Sequence, residues 1–224
     1  MFYASYQDWV KREVEDHVWI ICGVIGGGLT AYQLLLVGSL DLVILAAISI
    51  ALSSGLAFAF YYFGLYGGAD AKAIITISLG LPIYYPPLRL HPFTGLASLS
   101  NGLMLSLILL VAMFAWNLAK ILRGEDVFKG FEHEKTYRKI AAMFFGVRVK
   151  DAKKREFWFP IEEEADGERR FKFGLFELEL EEAPRDDCWM TPGIPLLIFI
   201  TGGFLIYVLI GDFLRIFVDL LAVL

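Results

Sequence analysis

Residues 18–38 read VWIICGVIGGGLTAYQLLLVG, and residues 42–66 read LVILAAISIALSSGLAFAFYYFGLY. Neither run holds a charged side chain, and each is long enough for a helix to cross a hydrocarbon layer of about 30 Å. A bilayer interior offers no water, so every backbone N–H and C=O must be paired within the segment, which a helix achieves alone. Only Gly38 to Asp41 joins the two, so they read as a tight helical hairpin. Gly23 and Gly27 have the small-xxx-small spacing that lets membrane helices approach closely. Ala47, Ala51, Gly55 and Ala59 put a stripe of small residues along the second helix. Tyr61, Tyr62 and Tyr66 crowd its far end, as in an interfacial aromatic belt.

Working outward, the apolar stretch from Ala73 to Tyr85 is short and contains Pro82, so it reads as a broken span. Pro86, Pro87 and Pro92 mark a loop. Gly102–Ile121 is a further span, and Leu196–Ile210 is the last, interrupted by Gly211-Asp212 before an apolar tail from Phe213 to Leu224. The whole chain is 57% hydrophobic, with a mean hydropathy of +0.59, more than a soluble domain of this size carries. The fold class is therefore a mainly α polytopic membrane protein, a helical transmembrane bundle.

Composition changes abruptly at Leu122. Between Lys120 and Met190 fall fifteen of the chain's 20 Lys/Arg and seventeen of its 25 Asp/Glu, a solvated mixed-charge surface. Phe131–Phe145 reads as an amphipathic helix stopped by Gly146. Glu156–Ile161 and Arg170–Leu180 read as strands, with Gly174 a bulge between two registers of alternating Phe/Leu (Phe171 and Phe173, then Phe176, Leu178 and Leu180) and Asp166-Gly167 a hairpin turn. The chain thus divides into a transmembrane region (1–121), a small soluble α+β insert (122–190) and a C-terminal transmembrane segment (191–224).

Several function classes drop out. Cys22 and Cys188 make neither a zinc framework nor a disulfide scaffold, and His17, His91 and His133 have no ligand spacing. No metal site and no cofactor are expected. A net charge of −5 carries no nucleic-acid footprint.

The insert holds most of the basic residues, which the positive-inside rule assigns to the cytoplasm. Counting spans back from it puts Asp8 and Asp70 at the cytoplasmic face, with Lys11, Arg12 and Lys72, and Asp41 at the opposite one. Two spans separate Asp8 from Asp70, so the two carboxylates can meet at one membrane boundary. Two carboxylates brought together share a proton; one then serves as general base on a water while the other polarises a carbonyl. The residues leave other readings open. An Asp after Gly67-Gly68-Ala69 and before an apolar helix is also an ordinary helix cap, and Glu13, Glu15 and Asp16 read as solvated turn charges. Asp212, inside the last apolar stretch, needs a polar partner.

Tyr6-Gln7-Asp8-Trp9-Val10-Lys11-Arg12-Glu13-Val14, followed by Val18-Trp19, resembles the first aspartate region of archaeal preflagellin and type IV prepilin peptidases, membrane aspartyl proteases of the G-x-G-D class. Gly67-Gly68-Ala69-Asp70-Ala71-Lys72 resembles the second, with alanine in the place of the motif's second glycine. Thr191-Pro192-Gly193-Ile194-Pro195, Gly211-Asp212 and the position of the soluble insert are similar too. The resemblance implies that Asp8 and Asp70 are the catalytic aspartates, with Gly67, Gly68, Ala69 and Lys72 as supporting motif positions. It implies six spans; only seven residues precede Asp8, so about five spans plus a truncated first are expected. It also implies cleavage, in the plasma membrane and at its cytoplasmic face, of the charged leader of preflagellin or prepilin-like precursors. The cysteine-rich loop of bacterial relatives that also N-methylate is absent, so methyltransferase activity is not expected. Lys72 is a cation that would favour the ionised form of Asp70, or a lysine snorkelling to the interface.

Two readings from other classes use the same residues. A small transporter or accessory subunit would line a polar path with Asp8, Asp70 and Asp212. A non-catalytic membrane assembly protein would instead dock a partner on the insert.

Overall fold

A computed structural model describes residues 1–165, 167–173, 183–193 and 195–223. The chain forms two compact units, Met1–Ser106 with Pro195–Leu224, and Leu107–Ile194.

The first unit is helical. α1 is Phe2–Lys11, α2 Asp16–Val37, α3 Leu40–Tyr62, α4 Gly68–Gly80, α5 Thr94–Leu122 (which continues into the second unit), α7 Leu196–Leu209 and α8 Phe213–Val223. α2, α3 and α5 are each long and apolar enough to cross a membrane. Their outward side chains, such as Val24, Leu35 and Leu52, are exposed, an arrangement that costs free energy in water and none in lipid. This is a polytopic helical membrane protein.

The turn between α2 and α3 is made as its residues dictate. Gly38 takes the left-handed conformation (φ 64°) and donates its N–H to Leu34 O, and the Ser39 hydroxyl caps α3 by accepting from Leu42 N. The two helices do not pack along one another as a hairpin, however; α4 packs along both of them. α4 also starts at Gly68 and ends at Gly80, five residues earlier at each end than the apolar run suggested. Pro82 disfavours a helical residue before it, so the helix stops ahead of the proline instead of carrying a break. Thirteen residues make a rod about 20 Å long. Ala73 and Ile74 on it are wholly buried.

Close packing around α4 uses small residues, though not all of those expected. A Cβ on Gly26 would lie 2.9 Å from Gly80 Cα, whereas Gly23 and Gly27 have ordinary clearance to Leu79. On α3 the buried side is Ala46, Ser49, Ser53 and Ala57, one position round from the stripe expected; Ala47, Ala51 and Gly55 are exposed. Ser49 Oγ donates to Pro82 O at 2.5 Å.

Gly211 (φ 132°) joins α7 to α8, and Asn101 of α5 holds that joint. Its Nδ2 donates to Gly203 O (3.3 Å) and Gly211 O (3.0 Å), and its Oδ1 accepts from Phe213 N (2.9 Å). Asp212 finds its polar partners here: it accepts from Leu90 N at 2.9 Å and donates its own N–H to Leu88 O at 2.8 Å.

Among the described residues the second unit carries α6 (Thr136–Phe145) and five short strands: β1 Val147–Val149, β2 Trp158–Pro160, β3 Glu162–Ala165, β4 Glu168–Phe171 and β5 Cys188–Pro192. β5 is central, with β1 and β2 antiparallel on either side, and β3–β4 form a hairpin. Phe131, Phe171, Trp189 and Val127 build its core. Buried Glu162 accepts from Trp189 N (2.8 Å) and from Arg169 on both oxygens. The α6 helix begins five residues later than expected, because Phe131 is drawn into this core. Strand Glu156–Ile161 shortens to β2, and among the described residues of the second expected strand Arg170 and Phe171 are paired, in β4. Gly174, Phe176, Leu178 and Leu180 lie outside the described residues, as does Asp166 of the turn, whose Gly167 takes φ 77°.

Candidate active site

α1 is amphipathic and ends where Arg12 adopts a left-handed conformation (φ 58°), its N–H donating to Asp8 O at 3.0 Å. Ser5 on its inner face reaches α7, with its hydroxyl 2.8 Å from that of Thr201. Asp8 is thereby carried on a helix anchored to the bundle. α4 opens at Gly67, whose N–H donates to Asp70 Oδ2 at 3.2 Å. Asp70 is the third residue of the helix rather than its cap, and only 8% exposed. The bond from Gly67 points its carboxylate back over the start of α4.

Asp8 and Asp70 come together at the ends of these helices, ahead of the apolar run that begins at Ala73. Burial, first, and then the Asp8 carboxylate push Asp70 up to about 7, against the smaller opposing pull of the Gly67 N–H. Asp8 is half-buried, and burial raises it as well, while the Arg12 guanidinium pulls the other way. Burial thus disfavours the charged form of both carboxyls, and the charge of Asp8 adds to that effect on Asp70.

The remaining motif positions are resolved individually. Gly67 and Gly68 have no positive φ, and neither does Ala69; Gly68 and Ala69 lie in the helix itself. The conformation for which glycine is needed is not used here, so alanine fits without strain. A Cβ on Gly67 would sit 3.5 Å from Asp70 Oδ2, against the carboxylate. Lys72 is not beside Asp70: its Nζ is 2.6 Å from Asp16 Oδ1. Asp16, expected to be a solvated turn charge, opens α2 and ties it to α4. Glu15 is also engaged, accepting from Gln7 Nε2 at 3.3 Å.

Three contributors escape sequence reading. Arg12, grouped there with the basic residues of one face, is the cation whose charge acts on Asp8. Tyr66, assigned to an aromatic belt, turns inward to donate to Ala57 O at 2.9 Å; burial and the nearby Asp70 push its hydroxyl up to about 12. Gln7, next to Asp8, is buried with its amide donating to Tyr3 Oη at 3.1 Å. Among the described residues no three His, Cys, Asp or Glu side chains gather as a metal centre would require.

Comparison with known proteins adds the family context. Residues 138–213 match the archaeal peptidase A24 C-terminus, type II, a region that includes the Gly211-Asp212 joint. The chain is 26% identical over 214 residues to the preflagellin peptidase of Methanococcus maripaludis, covering 93% of this chain and 90% of that protein. It is 27% identical over 226 residues to the preflagellin peptidase of Methanocaldococcus jannaschii, covering 93% and 89%. Both similarities extend over 93% of the chain, which is thus similar to the archaeal preflagellin peptidases along most of its length.

Proposed function

We propose that this protein is a membrane-embedded aspartyl endopeptidase that removes the leader peptide of preflagellin or type IV prepilin-like precursors, with Asp8 and Asp70 as its catalytic pair. The observation that supports the reading is that the charge of Asp8 acts on buried Asp70, although the two lie far apart in sequence.

The chemistry follows from one shared proton. The ionised carboxylate takes a proton from water as the oxygen bonds to the scissile carbonyl carbon. The protonated carboxyl gives its proton to the carbonyl oxygen, and a neutral diol forms. Collapse returns both protons: the first carboxyl protonates the departing nitrogen as the C–N bond breaks, and a diol hydroxyl reprotonates the second. Water, peptide and two carboxyl groups suffice for the cycle. The small residues before Asp70 leave room for an extended substrate backbone.

The active site faces the cytoplasm of a plasma-membrane protein in this reading, where Lys11, Arg12 and Lys72 are at home under the positive-inside rule. Methylation of the new N-terminus is no part of the proposal.

The test is cleavage of a preflagellin precursor by membranes carrying the chain, with Asp8→Asn and Asp70→Asn alongside. Loss of cleavage in both variants, with membrane insertion intact, is the expected result. Full activity in either removes the pair from catalysis.

A further inference from the structure

We propose that Arg12 is a positioning residue for the carboxylate pair: fixed at the end of α1, it keeps Asp8 the ionised member, so the shared proton rests on Asp70. The inference rests on the two-aspartate reading above and assigns its two roles.

The geometry begins with the backbone. Arg12 sits immediately beyond α1 in a left-handed conformation, with its N–H bonded to Asp8 O at 3.0 Å. Helix ends of this kind favour glycine, and a side-chain-bearing residue there costs about 1 kcal/mol. A strained non-glycine beside a reactive group is an observation from which a functional role can be argued. The bond sets Arg12, four residues on from Asp8, at the end of the turn that carries the carboxylate, and the charge of its guanidinium acts on Asp8. Its guanidinium does not lose its charge at any pH an enzyme meets.

The other charged groups around Asp8 do not compete for this role. α4 presents Asp70 itself. Lys72, further along α4, is bound to Asp16 at 2.6 Å. The α1–α2 turn brings Glu13 and Glu15, the latter engaged with Gln7. Lys11 is exposed at the end of α1. Tyr66 ahead of α4 donates to Ala57 O, and α7, packed on α1, has Tyr207 at its distant end as its one ionisable residue. Asp70 meanwhile is the more deeply buried of the pair, with a single backbone N–H from Gly67 on Oδ2. Burial disfavours the charged form, which agrees with Asp70 holding the proton.

The roles then follow. Asp8 takes the proton of the attacking water and later delivers it to the departing nitrogen. Asp70 donates to the carbonyl oxygen and recovers a proton from the diol.

The experiment is the pH dependence of kcat/KM for precursor cleavage in wild type, Arg12→Gln, Arg12→Gly and Arg12→Lys. Without the guanidinium Asp8 protonates more readily, so the acidic limb moves to higher pH, by about one unit, a tenfold loss of activity on that limb. Arg12→Gly relieves the backbone strain yet shows the same moved limb as Arg12→Gln, and Arg12→Lys restores much of the original position. An acidic limb that stays in place in Arg12→Gly, or that moves equally in Arg12→Lys, overturns the proposal. Those outcomes leave the two-aspartate reading standing as long as Asp8→Asn and Asp70→Asn are inactive; activity in either of these would remove that reading first.

Discussion

Lys72 is bound to Asp16, not to Asp70, and the bond joins the second turn of α4 to the first turn of α2. The cation two residues beyond Asp70 therefore acts between helices and not on the carboxylate pair. Lys72→Met is expected to leave both limbs of the pH–rate profile where they are. Since both partners are largely exposed, the ion pair contributes about 0.2–1 kcal/mol, and a thermal melt in detergent should fall by only a few degrees. A displaced limb in Lys72→Met would contradict this assignment.

Asp70 makes stability depend on pH. Its carboxyl titrates higher in the folded protein than in the unfolded chain, so the folded state binds the proton more tightly. The resulting stability is fully present below about pH 4 and is lost as pH rises through about 7. Asp70→Asn keeps an acceptor for the Gly67 N–H and removes the ionisation. The variant should be inactive, yet more heat-stable than wild type at pH 8, with the slope between pH 5 and 8 reduced. Melting curves across that range provide the check.

Gly26 faces Gly80 with no room for a side chain, because the nearest atom is backbone. Gly26→Val should separate α2 from α4, destabilise by about 1–3 kcal/mol and reduce cleavage, since α4 carries Asp70. Gly28→Val, two residues along and with open space around it, should be nearly silent. Equal effects of the two on melting temperature would contradict the packing described.

Ala69 stands where the related motif has glycine. Its backbone is helical, so Ala69→Gly is not expected to raise activity. It should instead cost about 0.5–1 kcal/mol through backbone entropy, measurable by thermal unfolding with cleavage assayed in parallel.

Asn101 satisfies three backbone groups at the α7–α8 joint. Asn101→Ala leaves those groups buried and unpaired, at a cost of about 1–3 kcal/mol. The loss should be seen in the melting temperature, with the positions of the pH–rate limbs unchanged.

The long apolar helices were legible in the sequence because length and lack of charge alone specify them. What escaped was relative placement. The small residues of α3 repeat at two overlapping helical spacings, and Ala47-Ala51-Gly55 looks as suitable a contact face as Ala46-Ser49-Ser53-Ala57; which one is buried depends on where α4 lies. The start of α4 was hidden because Gly68, Ala69 and Asp70 read as a loop or cap, whereas the helix takes them into its first turn. In the second unit, three-residue strands such as Val147–Val149 carry too little alternation to register, and central β5 ends in Pro192, which reads as a break. Parity across two spans allowed the two aspartates to lie at one face, and their catalytic role is proposed from the resemblance. The partner of Lys72 was not visible, since Asp16 lies more than fifty positions away and nothing local links them. Arg12 was in view only as one of several basic residues, because nothing local marks the left-handed turn it makes at the end of α1.

α4 is about 20 Å long where the hydrocarbon layer is about 30 Å thick. A helix that short cannot hold Asp70 at the level of the lipid headgroups while its other end reaches the opposite leaflet. A bilayer meeting so short a spanning element thins or dimples around it. Under the proposed function, such a depression would keep solvent in reach of the carboxylates at the membrane boundary. Acyl-chain length, which alters no residue of the protein, would thereby become a determinant of how readily the reaction is supplied with its second reactant.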